Sequence, residues 1–211
     1  MIKSVTKAKG AGHMMISPSI ASADPLRLEE EVKRLDPKLY ADLHVDIEDG
    51  HFIPNITFGM KTVKRLRAVT DLPFSFHLMV SNPLDYLEEI CACQPSVIFA
   101  HVEALDYPSL FVDAVRRRGG RAGLAFNPRT PIAPFGYVLS RVDAVLVMTA
   151  EPDGMGQEYL PDMVTKARQV RDAVPSVELW ADGGITPKRM EELKRAGVTH
   201  AVMGRAVFGR G

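Results

Sequence analysis

The chain has 211 residues, 46% hydrophobic and 25% charged, which fits one folded domain and excludes a disordered or collagen-like polymer. Its 26 basic and 26 acidic side chains cancel, so no net charge recommends nucleic acid or an anionic membrane as a partner. No apolar run nears the roughly 18 residues of a membrane span. Cys91 and Cys93 are too close for an ordinary disulfide and too few for a zinc cluster, so a reducing cytoplasm is the expected setting.

In chain order, residues 1–14 come first, with Lys3, Lys7 and Lys9, no acid and few large apolar groups. They read as a leader or cloning scar ahead of a single domain over 15–211. From there short apolar runs alternate with longer amphipathic ones. The expected order is strand 16–21, helix 25–35, strand 43–46, helix 62–69, strand 74–80, helix 84–91 and strand 97–101. It continues with helix 107–118, strand 122–126, helix 132–139, strand 144–148, helix 161–174, strand 179–182, helix 187–196 and strand 201–203. Asp24 and Pro25 mark one helix start, and Gly119-Gly120 and Gly197 mark two helix ends. The strands are almost continuously apolar, as in a parallel sheet covered on both faces.

Eight strands and seven helices in strict alternation suit a closed (β/α)8 TIM barrel or an open doubly wound sheet. Polar residues favour the barrel. Ser19, His44, Asp46, His77, His101, Asn127, Thr149 and Asp182 all stand at strand C-terminal ends, which converge on one mouth only when the sheet closes. The chain stops at Gly211, where an eighth helix would begin, so a barrel lacking its last helix is expected, truncated or covered there by a partner.

His44 and Asp46 are two apart on a strand and face the same way. An imidazole and a carboxylate together suit a divalent transition metal. His77 and Asp182 end two further strands, which gives four candidate ligands from three strands. Gly183-Gly184 and Gly204 follow strands seven and eight, the customary place in a barrel for a phosphate site built from backbone N–H groups. His101 reads as a hydrogen-bonded strand-end residue, and the Arg116–Arg118 run as a complement to a helix C-terminus.

These residues lie in segments that resemble the ribulose-phosphate 3-epimerase family: PSIASADPLRLEEEV, LHVDIEDGHFIPNITFG, FHLMVSNPLDYL, HVEA, FNPRTP, VMTAEP, ADGGIT and GRAVF, from Ile16 to Phe208. The resemblance implies a (β/α)8 barrel that epimerises C3 of a ketose phosphate, D-ribulose 5-phosphate to D-xylulose 5-phosphate, with one divalent metal ion (Zn, Fe(II), Mn or Co) and no organic cofactor. It implies His44, Asp46, His77 and Asp182 as metal ligands and Asp46 and Asp182 as the acid/base pair. Ser19, His77, Met79 and Met148 would line the substrate, and Gly154, Gly156, Gly183, Gly184 and Gly204 would form its phosphate end; Arg205, a departure from the family, either adds a charged phosphate contact there or points to solvent. A homo-oligomer is expected.

Several positions depart from the family pattern, as in a divergent branch. Glu48 stands where Met is usual, and Asp153 enters the glycine-rich loop. Arg205 follows Gly204, and Ser75 and Trp180 replace acids two residues before His77 and Asp182. The departures keep open a different substrate, such as a hexulose 6-phosphate, or a sugar-phosphate-binding barrel without turnover.

Overall fold

A computed structural model describes residues 14–153 and 158–209. All but Met14 of the expected leader, and both Gly154 and Gly156, therefore lie outside the described residues. Eight strands form one parallel sheet: β1 (Met15–Pro18), β2 (Leu43–Glu48), β3 (Phe74–Met79), β4 (Val97–His101), β5 (Ala122–Phe126), β6 (Ala144–Met148), β7 (Glu178–Asp182) and β8 (His200–Met203). Their order is β1-β8-β7-β6-β5-β4-β3-β2. The last seam, between β1 and β2, is drawn together by a bridge between Ser19 and His44 and by the Ala41 N–H donating to the Ile16 carbonyl at 3.0 Å. The sheet is thus a nearly closed barrel.

Helices follow each strand: α1 (Leu28–Lys33), α2 (Met60–Arg67), α3 (Leu87–Cys91), α4 (Pro108–Arg117), α5 (Gly136–Leu139), α6 (Met163–Ala173), α7 (Met190–Arg195) and α8 (Arg205–Phe208). The helix ends expected at Gly119 and Gly197 are present, with φ of 75° and 86° that suit glycine. Four expectations are corrected. The first strand ends at Pro18, because Ser19 makes the last ladder bond to Met203 and 20–22 then turns as a 3-10 helix without a strand partner. The second strand runs two residues further, since Ile47 and Glu48 pair with Leu78 and Met79. The first helix starts at Leu28 because Asp24 Oδ1 accepts the Leu26 N–H at 3.0 Å and holds a turn there instead. One turn of an eighth helix is present, and Arg34 of the α1 end reaches the Phe208 carbonyl at 3.3 Å.

The core has two parts. An outer shell lies between strands and helices, and an inner plug of Val97, Phe99, Ala125, Ala144, Leu146, Met148, Trp180 and Val202 fills the barrel. Trp180 stacks on His200 at 4.1 Å and meets Phe99 edge-on at 5.1 Å. Burial of such a side chain contributes about 1.5–3 kcal/mol. Gly123 faces the Phe99 ring, which any Cβ at that position would strike. The plug gives the polar mouth above it a dry, rigid floor.

Candidate active site and metal centre

Strand parity sends His44, Asp46 and Glu48 of β2 into the barrel, with Ser75, His77 and Met79 of β3 beside them. Sheet register sets Asp46 opposite His77, and Met148 opposite Asp182 on the far side. The four expected ligands do converge: one donor atom from each of His44, Asp46, His77 and Asp182 lies within 4.8 Å of the others. His44 Nε2 stands 3.5 Å from Asp46 Oδ1. His77 Nδ1 stands 3.1 Å from Asp46 Oδ1 and 3.4 Å from Asp182 Oδ2. Ser19 donates its hydroxyl to Asp46 Oδ2 at 2.6 Å.

Burial would push the Asp46 carboxyl up, but the His44 and His77 imidazoles outweigh it and hold Asp46 well below the usual carboxylate range. Burial likewise works against a charged His77, yet Asp182 and Asp46 raise it to about 9. Two carboxylates around one imidazole thus draw positive charge into this point. Glu48 behaves oppositely: burial, then the nearby Asp46 charge, push it up to about 7, although Asn55 Nδ2 donates to its Oε2 at 2.6 Å.

The donor set fits a divalent cation. Ligands about 2.0–2.2 Å from a zinc-like ion stand about 3.0–3.5 Å apart in octahedral to tetrahedral arrangements, and the three donor separations of 3.1, 3.4 and 3.5 Å match that spacing. His44 Nε2 is buried and has no hydrogen-bond partner, while Ser75 Oγ engages its Nδ1 at 2.8 Å. A ring fixed by one nitrogen with the other bare is the customary state of a metal ligand. The cluster can hold a metal ion; two imidazoles and two carboxylates do not choose which one.

Beside it opens a cavity of about 400 Å³ lined in part by Ser19, Ser22, Asp182, Gly184, Gly204 and Arg205. Gly183 has φ of 115°, and a Cβ there would lie 2.6 Å from the Ala150 nitrogen. Gly184 has φ of 64°, and its Cβ would lie 2.7 Å from the Tyr159 nitrogen. Glycine is required at both on conformation and on space. Thr149 Oγ1 donates toward the carbonyls of Asp182 and Gly183 at 3.0 and 2.7 Å, steadying the strand end that carries Asp182. Met79 and Met148 are both buried, at the ends of β3 and β6. Arg205 is exposed at the start of α8.

Several supporting residues escape the sequence reading. Thr57 Oγ1 donates to the Asp46 carbonyl at 2.6 Å, and Asn55 holds Glu48. His101 is the hydrogen-bonded strand-end residue expected, but its partners were not: its Nε2 lies 2.8 Å from His77 Nε2 and its Nδ1 lies 3.2 Å from Glu103 Oε2. Its parity with Phe99 on β4 was the available signal. Burial brings the His101 imidazole down to about 4 against the pull of Glu103.

Fold and site together define a (β/α)8 barrel with a two-histidine, two-aspartate cluster at its C-terminal mouth that could hold a metal ion. The profile of the ribulose-phosphate 3 epimerase family matches residues 15–208, and the chain belongs to that family. It is 38% identical to "Ribulose-phosphate 3-epimerase" of Mycobacterium tuberculosis (strain ATCC 25618 / H37Rv) over 206 residues, 96% of this chain and 89% of that protein. It is 37% identical to "Ribulose-phosphate 3-epimerase, cytoplasmic isoform" of Oryza sativa subsp. japonica, over 92% of this chain and 87% of the rice protein. Among solved structures, the orotidine 5'-phosphate decarboxylase of Pyrococcus horikoshii OT3 has a TM-score of 0.64 at 15% identity, over 92% of this chain and 91% of that one. A tryptophan synthase alpha-subunit mutant from Pyrococcus furiosus has a TM-score of 0.70 at 15% identity, over 92% and 88%. These two share the barrel. No helix among the described residues is long and apolar enough to cross a membrane.

Proposed function

We propose that this chain is a metal-dependent epimerase acting at C3 of a ketose phosphate, with D-ribulose 5-phosphate and D-xylulose 5-phosphate as the pair interconverted. The observation that carries the proposal is that two aspartates from different strands, Asp46 of β2 and Asp182 of β7, stand 3.1 and 3.4 Å from the same imidazole nitrogen, His77 Nδ1. Inversion at a carbon beside a ketone removes a weakly acidic proton and returns one to the other face. Two carboxylates do this without turning the substrate. Asp46 is assigned the proton on one face. Asp182 serves the opposite face, and the two exchange roles in the reverse direction. Ser19 fixes Asp46 through Oδ2, leaving Oδ1 toward the cluster. His44, Asp46, His77 and Asp182 would hold the ion; when bound, a divalent ion supplies positive charge that stabilises the oxyanion developing on the ketone.

The phosphate end belongs at the β7–β8 side, in the cavity lined by Gly184, Gly204 and Arg205, with Gly183 beside it, where backbone N–H groups and the Arg205 charge would meet it. Met79 and Met148 are assigned to the apolar lining, and Gly154 and Gly156, outside the described residues, to substrate binding. A second reading, a hexulose 6-phosphate as substrate, is favoured by one observation: Glu48 puts a carboxylate at the mouth that can accept a sugar hydroxyl.

Both readings are tested by solvent deuterium exchange at C3 over a panel of ketose phosphates. Metal-dependent label in D-ribulose 5-phosphate and its product is the expected result. Label confined to a hexulose 6-phosphate selects the second reading. Absence of label from every substrate, with metal bound, overturns both and leaves a sugar-phosphate-binding barrel.

A further inference from the structure

Building on the metal reading above, we propose that His101 and Glu103 are positioning residues that fix the tautomer of His77 and leave its Nδ1 bare toward the cation. The argument follows protons outward in. Glu103 Oε1 accepts the Asn127 backbone N–H at 2.9 Å, and the Thr130 side chain also hydrogen-bonds this carboxylate. A group that receives donors in this way is an acceptor, so Oε2, 3.2 Å from His101 Nδ1, accepts the proton carried by that nitrogen. His101 Nε2 is then the lone-pair nitrogen. It lies 2.8 Å from His77 Nε2, and two imidazole nitrogens at that distance share one proton, which His77 must supply. With one proton held on Nε2, Nδ1 is the nitrogen whose proton a cation displaces, and it is the atom that stands 3.1 and 3.4 Å from the two aspartates.

The anchor of this relay is firm. Lys166, itself buried, donates to the carbonyls of Asn127 and Pro128 at 2.7 and 2.6 Å, and so sets the loop that aims the Asn127 N–H. His77 and His101 are fully buried, and Phe52 lies over His101 at 4.8 Å between ring centres. Water is therefore kept from offering either imidazole an alternative partner. His44 reaches the same end by a shorter route, with Ser75 on Nδ1 and Nε2 bare.

The test uses the full chain freed of metal and titrated with zinc alone. Long-range 1H–15N spectra of the zinc-loaded wild type are expected to show His101 protonated on Nδ1 and His77 on Nε2. Glu103→Gln keeps the shape but lets an amide N–H face His101, which reverses the relay. Its zinc affinity is expected to fall about 10–100-fold, with the melting temperature of the metal-free protein within about 3 °C of wild type. A wild-type spectrum with the His101 proton on Nε2 overturns the proposal, as does a Glu103→Gln protein that binds zinc within twofold of wild type. If that variant does not fold, the wild-type spectrum decides alone. Failure of the wild type to bind any zinc overturns the metal reading together with this one, whereas zinc binding with the wrong tautomer overturns only this one.

Discussion

On the β2–β3–β4 side of the mouth, chemistry is carried by side chains: His44, Asp46, His77 and His101 are buried and each is hydrogen-bonded by another side chain. On the β7–β8 side the cavity is bounded largely by backbone, where Gly183, Gly184 and Gly204 pack so closely on Ala150, Tyr159 and Ser22 that no Cβ fits, and the phosphate end proposed there would be held by N–H groups. A side-chain site concentrates charge and fixes its orientation through partners, so its failures are steep. A backbone site spreads its work over several N–H groups, so its failures are graded and fall on binding.

The sharpest way to break this comparison is to neutralise the side-chain half. Asp46→Asn and Asp182→Asn are each expected to lower C3 deuterium exchange by at least about 10²–10⁴-fold, since each removes an acid/base group and a metal ligand. Turnover near wild type in either variant, at unchanged metal content, would show that two aspartates are not needed. On the backbone half, Gly204→Ala puts a methyl against Ser22 Oγ inside the cavity. Steady-state kinetics should show KM raised about tenfold with kcat changed far less, the mark of lost ground-state binding. A fall in kcat alone would contradict that assignment.

Glu48 tests the border between the halves. Removing the acceptor with Glu48→Met should change the ratio of kcat/KM for pentulose against hexulose phosphates about 3–10-fold, the worth of one hydrogen bond. An unchanged ratio removes Glu48 from substrate selection.

The smallest effect concerns pH and the metal-free protein. His77 is raised from 6.5 to about 9, so the folded state binds its proton more tightly than the unfolded chain does. That stabilisation is complete below pH 6.5 and is lost as pH rises through 9. Between pH 8 and 9 Glu48, near 7, and His101, near 4, have largely finished titrating. The melting temperature of the metal-free chain should therefore fall across this window; on the order of 1 kcal/mol already moves it about 2–4 °C at this size. Zinc-loaded protein, with the His77 proton displaced, should be flatter. Equal slopes with and without zinc would count against His77 as a ligand.

Residues in the sequence already mark most of the candidate metal site. A strand has period two, so the His44–Asp46 spacing alone puts both on one face, and apolar runs ending in His77 and Asp182 place two more groups at the same end of the sheet. Gly183-Gly184 was legible for a similar reason, since adjacent glycines at a strand end mark a turn that side chains would block. The His101–Glu103 pair was not legible in this way. Its contact with His77 depends on the stagger of neighbouring strands, which sets His77 opposite Phe99 and leaves His101 one step higher on the same face.

Local chemistry thus determined what this chain could settle within a few residues: where strands run, which side chains share a face, where helices stop at glycine, and the fold class that strict alternation allows. Tertiary structure decided what depends on a distant partner. β1 ends where β8 gives out at Met203, β2 lengthens because β3 continues beside it, and Ser19, Ser75 and Thr57 become supports for Asp46 and His44 only once separate loops and strands meet. Hydrogen bonds are short-ranged and directional, so their partners are fixed by the barrel's closure and stagger, to which no stretch of sequence has access by itself.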